Sequence, residues 1–282
     1  MNHGPLIFLG VLVTFVMSWW GLIFAPQVQI GTQQNAALTE GAYPKPRAGF
    51  AEQGHLVYVA NGCVQCHGQQ VRQDGYTFDV VLTLPGTNTE ILLRALAKIA
   101  PGVNAGAVAA AATEKTPQTL LTNVPQATAE DAQARLKKIG ATAQTLFTPL
   151  GVDMARGWGS RLTVAADYLY DNPVQIGHSR LGPDLSNYGQ RAPSAALILQ
   201  HLYDSRTTMD KSLMPAHHFL FETRPVGRKP SPDALALPAK FAPPAGHEVV
   251  PKPEALQLVA YLQSLRASAS LFEAPATPAP QP

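Results

Sequence analysis

The most apolar stretch of the chain lies near its start. Residues 6–25 read LIFLGVLVTFVMSWWGLIFA, and the first charged residue is Glu40. A helix needs about 20 apolar residues to cross the bilayer core of about 30 Å. The pattern therefore predicts a transmembrane anchor over residues 1–30, with Trp19 and Trp20 near one membrane interface.

A cleaved signal peptide is the main alternative for this stretch. Such a peptide has an apolar region of only about 7–15 residues, with basic residues before it and a site of small residues after it. Here no Lys or Arg precedes the apolar run, and Pro26 follows it. A buried core helix is a weaker alternative at this length. We therefore expect a retained anchor.

Beyond the anchor, the spacing of apolar positions predicts helices separated by polar segments. We expect a linker over residues 31–50, a folded domain over 51–270 and a disordered tail over 271–282. Apolar spacing, capping residues and stop signals predict helices near residues 51–62, 87–100, 128–139, 194–203 and 254–266. Thr87 is the expected cap of the second of these helices, and Ser194 is the expected cap of the fourth. Within the domain, residues 75–160 are predicted to be an inserted helical segment and the proline-rich residues 223–253 to be irregular. The predicted fold class is mainly α.

Composition and charge exclude several classes of protein. Among 282 residues, Lys and Arg number 21 and Asp and Glu number 19, giving a formal net charge of +2. A balance so near zero does not favour nucleic acid as a partner. The chain has two cysteines, which excludes a disulfide-rich scaffold and any four-cysteine metal site.

Both cysteines belong to one motif. Cys63-Val64-Gln65-Cys66-His67 has the spacing C-x-x-C-H, which is typical of covalent attachment of a c-type haem. Each thiol can add to one vinyl group of the porphyrin, and His67 then lies under the iron. A thioredoxin-like motif would follow a strand in a βαβ pattern, which is absent here. A zinc site would need further ligands near the thiols.

A haem used for electron transfer needs a second axial ligand, and Met opposite His raises the reduction potential. Met214 is the first candidate because Pro215 follows it and restricts the backbone there. Met209 is the second candidate. His217 and His218 leave a bis-histidine arrangement open. A methionine in isolation is more often core filling than a ligand.

The other ring nitrogen of a ligating histidine usually donates to a fixed acceptor. Gly182-Pro183-Asp184-Leu185 is the candidate segment, because the carbonyl of Pro183 is free to accept and Gly182 allows close approach to the ring. On its own, this tetrapeptide is a weak signal and is also typical of a simple turn.

These motifs together resemble a class I cytochrome c. That family has a helix before C-x-x-C-H, a G-P-x-L loop, a Met-Pro loop and a closing helix. Residues 258–265, LVAYLQSL, are similar to the closing helix, and Tyr261 and Leu262 are expected to pack on the first helix near Gly54 and Tyr58.

The chain is more specifically similar to the monohaem, membrane-anchored subunit II of cbb3-type cytochrome c oxidases. That family has the patterns C-H-x-Q-x-x-R, Y-D-N-P-x-Q-x-G-x-x-R-x-G-P-D-L and N-M-P-A. The corresponding segments here are residues 66–72 (CHGQQVR), 170–185 (YDNPVQIGHSRLGPDL) and 213–216 (LMPA). The resemblance is interrupted by residues 75–160, which read as an insertion.

The resemblance implies an electron-transfer subunit that is not catalytic as an isolated chain. It would pass electrons through one covalent haem c, with His67 and Met214 as axial ligands, from a partner cytochrome c to a catalytic haem–copper subunit. Arg72, Arg180 and Arg191 are candidates for haem propionates or partner contacts, although solvated surface arginines are the simpler interpretation.

The implied location is the bacterial inner membrane, with the cytochrome domain in the periplasm, since haem of this kind is attached outside the cytoplasm. Lys45 and Arg47 follow the anchor and favour the opposite orientation, but they lie about 20 residues from its end, where that bias fades. A membrane-tethered shuttle for another respiratory complex and a haem-based sensor are the alternative functions.

Overall fold

The computed structural model describes residues 3–31, 36–38, 41–191 and 194–276. The chain divides into two compact units, which are described separately. The first unit contains Met1–Ala48 and Val164–Gln175, and the second contains Gly49–Thr163 and Ile176–Pro282.

The first unit begins with the apolar helix. It consists of α1 (Gly4–Trp19), a π-helical turn (Trp20–Phe24) and α2 (Ala25–Gly31). Residues Gly4–Gln29 are long and apolar enough to cross a membrane, and none of the apolar side chains is buried. Trp20 and Phe24 contact each other within the π-helical turn, with ring centroids 4.7 Å apart. The predicted helical anchor therefore has a matching helix in the structure.

The predicted linker contains a short pair of antiparallel strands, β1 (Ala36–Leu38) and β2 (Gly41–Tyr43). Residues 32–35 and 39–40 of the linker lie outside the described residues. After β2, Tyr43 donates a hydrogen bond of 2.6 Å to Asp167, and Arg47 forms an ion pair with Asp171. These contacts join the end of the linker to the segment Val164–Gln175 of the same unit.

Two crossing helices form the centre of the second unit. These are α3 (Phe50–Ala60) and α10 (Pro253–Ser264). A Cβ atom at Gly54 would lie 2.8 Å from Cβ of Tyr261 and closer still to the carbonyl of Gln257, so glycine permits the close crossing. Tyr58 and Tyr261 are buried with ring centroids 5.2 Å apart. The contact expected between these two helices is present.

The main core surrounds this crossing. It includes buried side chains from α9 (Ala195–Tyr203), including Ile198 and Leu202, and from α10. Ser194 caps α9 by accepting a hydrogen bond from the backbone of Leu197, as predicted. The short helix α8 is Tyr188–Arg191.

The proline-rich segment is less irregular than predicted. Strand β6 (Phe221–Pro225) pairs antiparallel with β7 (His247–Pro251), so the expectation of an irregular segment over 223–253 is wrong at both ends. Val249 and Val250 are buried, and Val249 packs in the main core. The apolar residues of β7 therefore hold this segment to the domain.

The insertion contains a sheet as well as helices. Strands β3 (Gly75–Leu84), β4 (Gln118–Val124) and β5 (Thr142–Leu150) form an antiparallel sheet with β3 at its centre. Its helices are α4 (Thr89–Ile99), α5 (Ala105–Ala111), α6 (Gln126–Lys138) and α7 (Val152–Ala155). The chain is mainly helical as predicted, but the prediction of a helical insertion missed this sheet.

The insertion has a hydrophobic core of its own. Val80 and Leu82 of β3 pack with Leu92 and Leu96 of α4 and with Leu136 of α6, and all five are at most 1% exposed. Gly75 and Leu150, the first and last residues of the sheet, are paired directly. The insertion therefore leaves the rest of the domain and returns to it at one place.

The predicted disordered tail is described only as far as residue 276. Within that part, Leu271, Ala274 and Ala276 are buried, so these residues pack against the protein, which differs from the expectation. Residues 277–282 lie outside the described residues.

Candidate functional site

The C-x-x-C-H motif begins where α3 ends. Gly62 has a left-handed backbone with φ of 62°, which glycine adopts without strain, and the chain then enters a short 3₁₀ turn, Cys63–Gln65. The carbonyl of Cys63 accepts hydrogen bonds from the backbone N–H groups of Cys66 and His67, at 3.2 and 3.0 Å. This turn fixes the spacing of the two thiols and the imidazole.

His67 contacts the carbonyl of Pro183. The distance from Nδ1 of His67 to this oxygen is 2.9 Å, which is that of a hydrogen bond in the tautomer that carries the proton on Nδ1. Nε2 is then left with its lone pair, which suits an iron ligand. A Cβ atom at residue 182 would lie 2.6 Å from Nδ1 and 2.9 Å from Nε2, so Gly182 allows the loop to reach the ring.

Burial affects both the imidazole and the first thiol. Burial lowers the pKa of His67 and outweighs the opposing effect of the Pro183 carbonyl, so the ring is neutral at pH 7, as a metal ligand must be. Burial raises the pKa of the Cys63 thiol to about 11. Redox-active C-x-x-C motifs instead lower the pKa of a cysteine, so this site does not resemble a thioredoxin-like site.

Backbone hydrogen bonds join the G-P-D-L loop to the haem motif. Gly182 donates to the carbonyl of Cys66 at 2.9 Å, and Leu185 donates to that of Gly68 at 2.8 Å. Gln69 donates in the other direction, to the carbonyl of Ile176, at 2.7 Å. Two segments more than 100 residues apart in the sequence are thus held in register beside His67.

Met214 lies on a loop that packs against the same core as the motif. Its side chain is half-buried and contacts the main core, as Cys63 and Val64 do. The hydroxyl of Ser205, which is fully buried, donates to the carbonyl of Met214 at 2.9 Å. The backbone that carries the thioether is therefore held by a hydrogen bond and packs on the same core as the cysteine motif, which suits the ligand role that the sequence predicts.

The alternative ligands have less suitable surroundings. Met209 is 62% exposed. The ring of His218 packs on Tyr203, with centroids 4.4 Å apart. Burial lowers the pKa of His217 and outweighs the opposing effect of the backbone of Pro215. Met214 thus fits the site better than Met209 or His218, and axial ligation itself stays a prediction.

Asp184 is a residue of the site whose role sequence reasoning missed. Its carboxylate is 1% exposed and accepts hydrogen bonds from the backbone of Gln70 at 2.7 Å and from the backbone and hydroxyl of Ser186 at 2.9 and 2.5 Å. These contacts fix the residue that follows Pro183. The only sequence signal was the acidic residue inside the tetrapeptide GPDL.

Asp153 is the second such residue, and it comes from α7 at the end of the insertion. Its carboxylate, 4% exposed, accepts the backbone N–H of Arg72 at 2.8 Å and forms an ion pair of 2.7 Å with Arg180. Arg180 also donates to the carbonyl of Gln70 at 2.5 Å. Nothing in the sequence distinguished Asp153 from the other acidic residues of the insertion.

The three candidate arginines have different surroundings. The side chain of Arg72 is exposed, and Arg180 is paired with Asp153. Arg191 donates to the carbonyl of Trp158 at 2.7 Å and to that of Asp184. Two of the three therefore have protein partners, and their predicted contacts with propionates or with another chain stay predictions.

The donor set fits a covalent haem. Two thiols and a neutral imidazole lie on one turn, a backbone carbonyl orients the imidazole, and Gly182 leaves the space beside its ring free of a side chain. Within the described ranges, no three His, Cys, Asp or Glu side chains lie close enough to hold a metal ion by themselves. The fold and the site are thus consistent with a cytochrome c domain, and an apolar helix precedes it in the sequence.

A comparison with protein families finds a match in part of the chain. Residues 143–230 match the family model described as cytochrome c oxidase, mono-heme subunit/FixO. The matched region contains the G-P-D-L loop and Met214, and it confirms the resemblance to the monohaem subunit of a cbb3-type oxidase. A comparison with curated proteins gives no match.

Proposed function

We propose that this chain is the electron-transfer subunit of a cbb3-type terminal oxidase. In this function it receives electrons from a partner cytochrome c and delivers them to the catalytic subunit that contains b-type haem. The observation that carries the proposal is the contact of 2.9 Å between Nδ1 of His67 in the C-x-x-C-H motif and the carbonyl of Pro183, which lies in the region, residues 143–230, that matches the monohaem subunit family.

Each residue of the site has a distinct role in this proposal. Cys63 and Cys66 would hold the haem by two thioether bonds, and His67 and Met214 would be the ligands of its iron. Pro183 keeps the proton of His67 on Nδ1, while Gly182 leaves space for the ring. A haem bound there supplies one-electron transfer by cycling between ferrous and ferric iron.

The anchor and the attachment chemistry suggest the location. The helix Gly4–Gln29 would cross the bacterial inner membrane once, and the cytochrome domain would lie in the periplasm, where haem is attached. The tether keeps the electron carrier at the membrane surface beside the other oxidase subunits. Fusion of a periplasm-specific reporter after residue 276 should give an active reporter.

Purification in mild detergent tests the function. We expect the chain to co-purify with a haem–copper subunit and a further cytochrome c subunit, and the preparation to contain both b-type and c-type haem. Recovery of this chain as a free c-type cytochrome would contradict the proposal and would favour a membrane-tethered shuttle for a different respiratory complex.

Replacing Met214 by alanine tests the second axial ligand. We expect the variant to keep its covalent haem but to lose the six-coordinate spectrum, and its ferrous form should bind carbon monoxide. Met209→Ala is the matched control, since that side chain is 62% exposed, and it should leave the spectrum unchanged. A native chain that already binds carbon monoxide, with no change in Met214→Ala, would instead indicate a haem-based sensor.

A further inference from the structure

A cluster of charged residues lies directly behind the loop that carries Pro183. It consists of Asp153, Arg180, Asp184 and Arg191, and we call it the loop charge cluster. Its charges balance, with two carboxylates and two guanidinium groups. Three of the members come from the segment after the insertion, and Asp153 comes from α7 at the insertion's end.

The cluster is connected to the haem motif through the backbone. Asp153 accepts from the N–H of Arg72, Arg180 donates to the carbonyl of Gln70, and Asp184 accepts from the N–H of Gln70. These bonds hold the extended segment of residues 70–72, which follows His67, from one side. Arg180 lies 2.7 Å from Asp153 and 4.0 Å from Asp184, so one cation is shared between two buried carboxylates.

The surroundings of the cluster favour strong electrostatic effects. The side chains of Asp153 and Asp184 are 6% and 0% exposed, and that of Arg180 is 21% exposed. Trp158, also from the end of the insertion, lies under Arg180, with the guanidinium carbon 5.8 Å from the ring centroid. Charges with little solvent around them are poorly screened, so removing one changes the potential at neighbouring groups.

We propose that Asp153 and Arg180 act as a pair of positioning residues that sets the electrostatic potential at the haem site, and that the insertion thereby tunes the reduction potential of the iron. The inference rests on the proposed function, because it requires a haem on Cys63 and Cys66. Neither residue touches the iron. They act through the backbone of residues 70–72 and through the charge that they place behind Pro183 and Asp184.

Two single substitutions separate charge from structure. Asp153→Asn keeps an oxygen that can accept from Arg72 but removes a negative charge, so ferrous iron is favoured and the reduction potential should rise. Arg180→Gln removes a positive charge, so the potential should fall. The variant with both substitutions loses no net charge and should return close to the native potential, which defines a double-mutant cycle.

The experiment is a spectroscopic redox titration of the full chain in detergent, with covalent haem measured first. Asp131→Asn is the matched control, because Asp131 pairs with Arg135 on the exposed face of α6, in the same insertion. This control should leave the potential unchanged. Circular dichroism and the midpoint of thermal unfolding of each variant report whether the domain is folded.

The outcomes separate the two proposals. Opposite shifts in the two single variants support the inference. The inference is overturned if both single variants have the native reduction potential, or if both potentials shift in the same direction and the unfolding midpoint falls. Either result leaves the pair with a purely structural role. Absence of covalent haem from the native chain would overturn the proposed function and the inference together, whereas covalent haem with unchanged potentials overturns the inference alone.

Discussion

Replacing Cys63 and Cys66 together by serine should give a chain without covalent haem. Serine keeps the size of the side chain but cannot form a thioether bond, and the chain has no other cysteine. A haem bound in the buried surroundings of the motif stabilises the folded state, so we also expect its loss to lower the unfolding temperature. Haem staining of a denaturing gel and the pyridine haemochrome spectrum measure the loss.

The matched control for this substitution is Met209→Ala. Met209 is 62% exposed and is outside the proposed ligand set, so this variant should stain as strongly as the native chain. Each single cysteine variant should retain at most one thioether bond and a shifted haemochrome band. Haem that stays bound to the double serine variant after denaturation would show that the attachment site is elsewhere.

Replacing Gly182 by alanine should disturb the imidazole of His67 without removing any side chain of the proposed haem site. The new Cβ atom would lie 2.6 Å from Nδ1, well inside van der Waals contact, so either the ring or the loop must move. We expect a loss of stability of about 1–3 kcal/mol, which is typical of overpacking. The hydrogen bond from His67 to Pro183 should weaken at the same time.

The effect on His67 is visible in spectra of the haem-loaded protein. A displaced proximal ligand should change the Soret band and lower the reduction potential or broaden its titration. Gly75→Ala is a suitable control, because a Cβ atom at Gly75 meets no atom within 4 Å. If Gly182→Ala had native spectra and native stability, the close contact between loop and ring would not exist in solution.

Helices with strong local signals were predictable from the sequence. The uninterrupted apolar run predicts the first helix, and Ser194 together with the apolar positions that follow predicts α9. Asn88, rather than the expected Thr87, caps α4 by accepting from Ile91 at 3.1 Å, so the helix was predicted but its cap was misplaced by one residue. Local patterns are sufficient for elements of this kind.

The sheets were not predictable in the same way. Strand β3 buries four successive residues, Val80–Thr83, so it lacks the alternation of apolar and polar residues that indicates a half-buried strand. Its partner β5 begins 58 residues after β3 ends and contains Pro149. Strands β6 and β7 are likewise separated by a proline-rich segment, and pairing over such distances leaves no local signal.

The sequence predicts the part of the site that a motif defines. It does not predict the part that depends on contacts made only in the folded protein. Cys63, Cys66 and His67 follow from their spacing, and Pro183 and Gly182 follow from the need of a ligating histidine for a fixed acceptor. Asp153 is different, because its importance depends on two arginines that are close only after folding. Single acidic residues give no information about such contacts.

The pairing of Gly75 with Leu150 has a consequence for how this protein can vary. Because the two ends of the insertion are adjacent, a short turn between them is enough to close the chain when the insertion is absent. The insertion also brings its own core, so it does not borrow apolar residues from the α3–α10 crossing. Homologous subunits can therefore differ greatly in length at this point while the haem-binding residues stay the same, and an engineered chain in which a turn replaces residues 76–149 is a realistic minimal cytochrome.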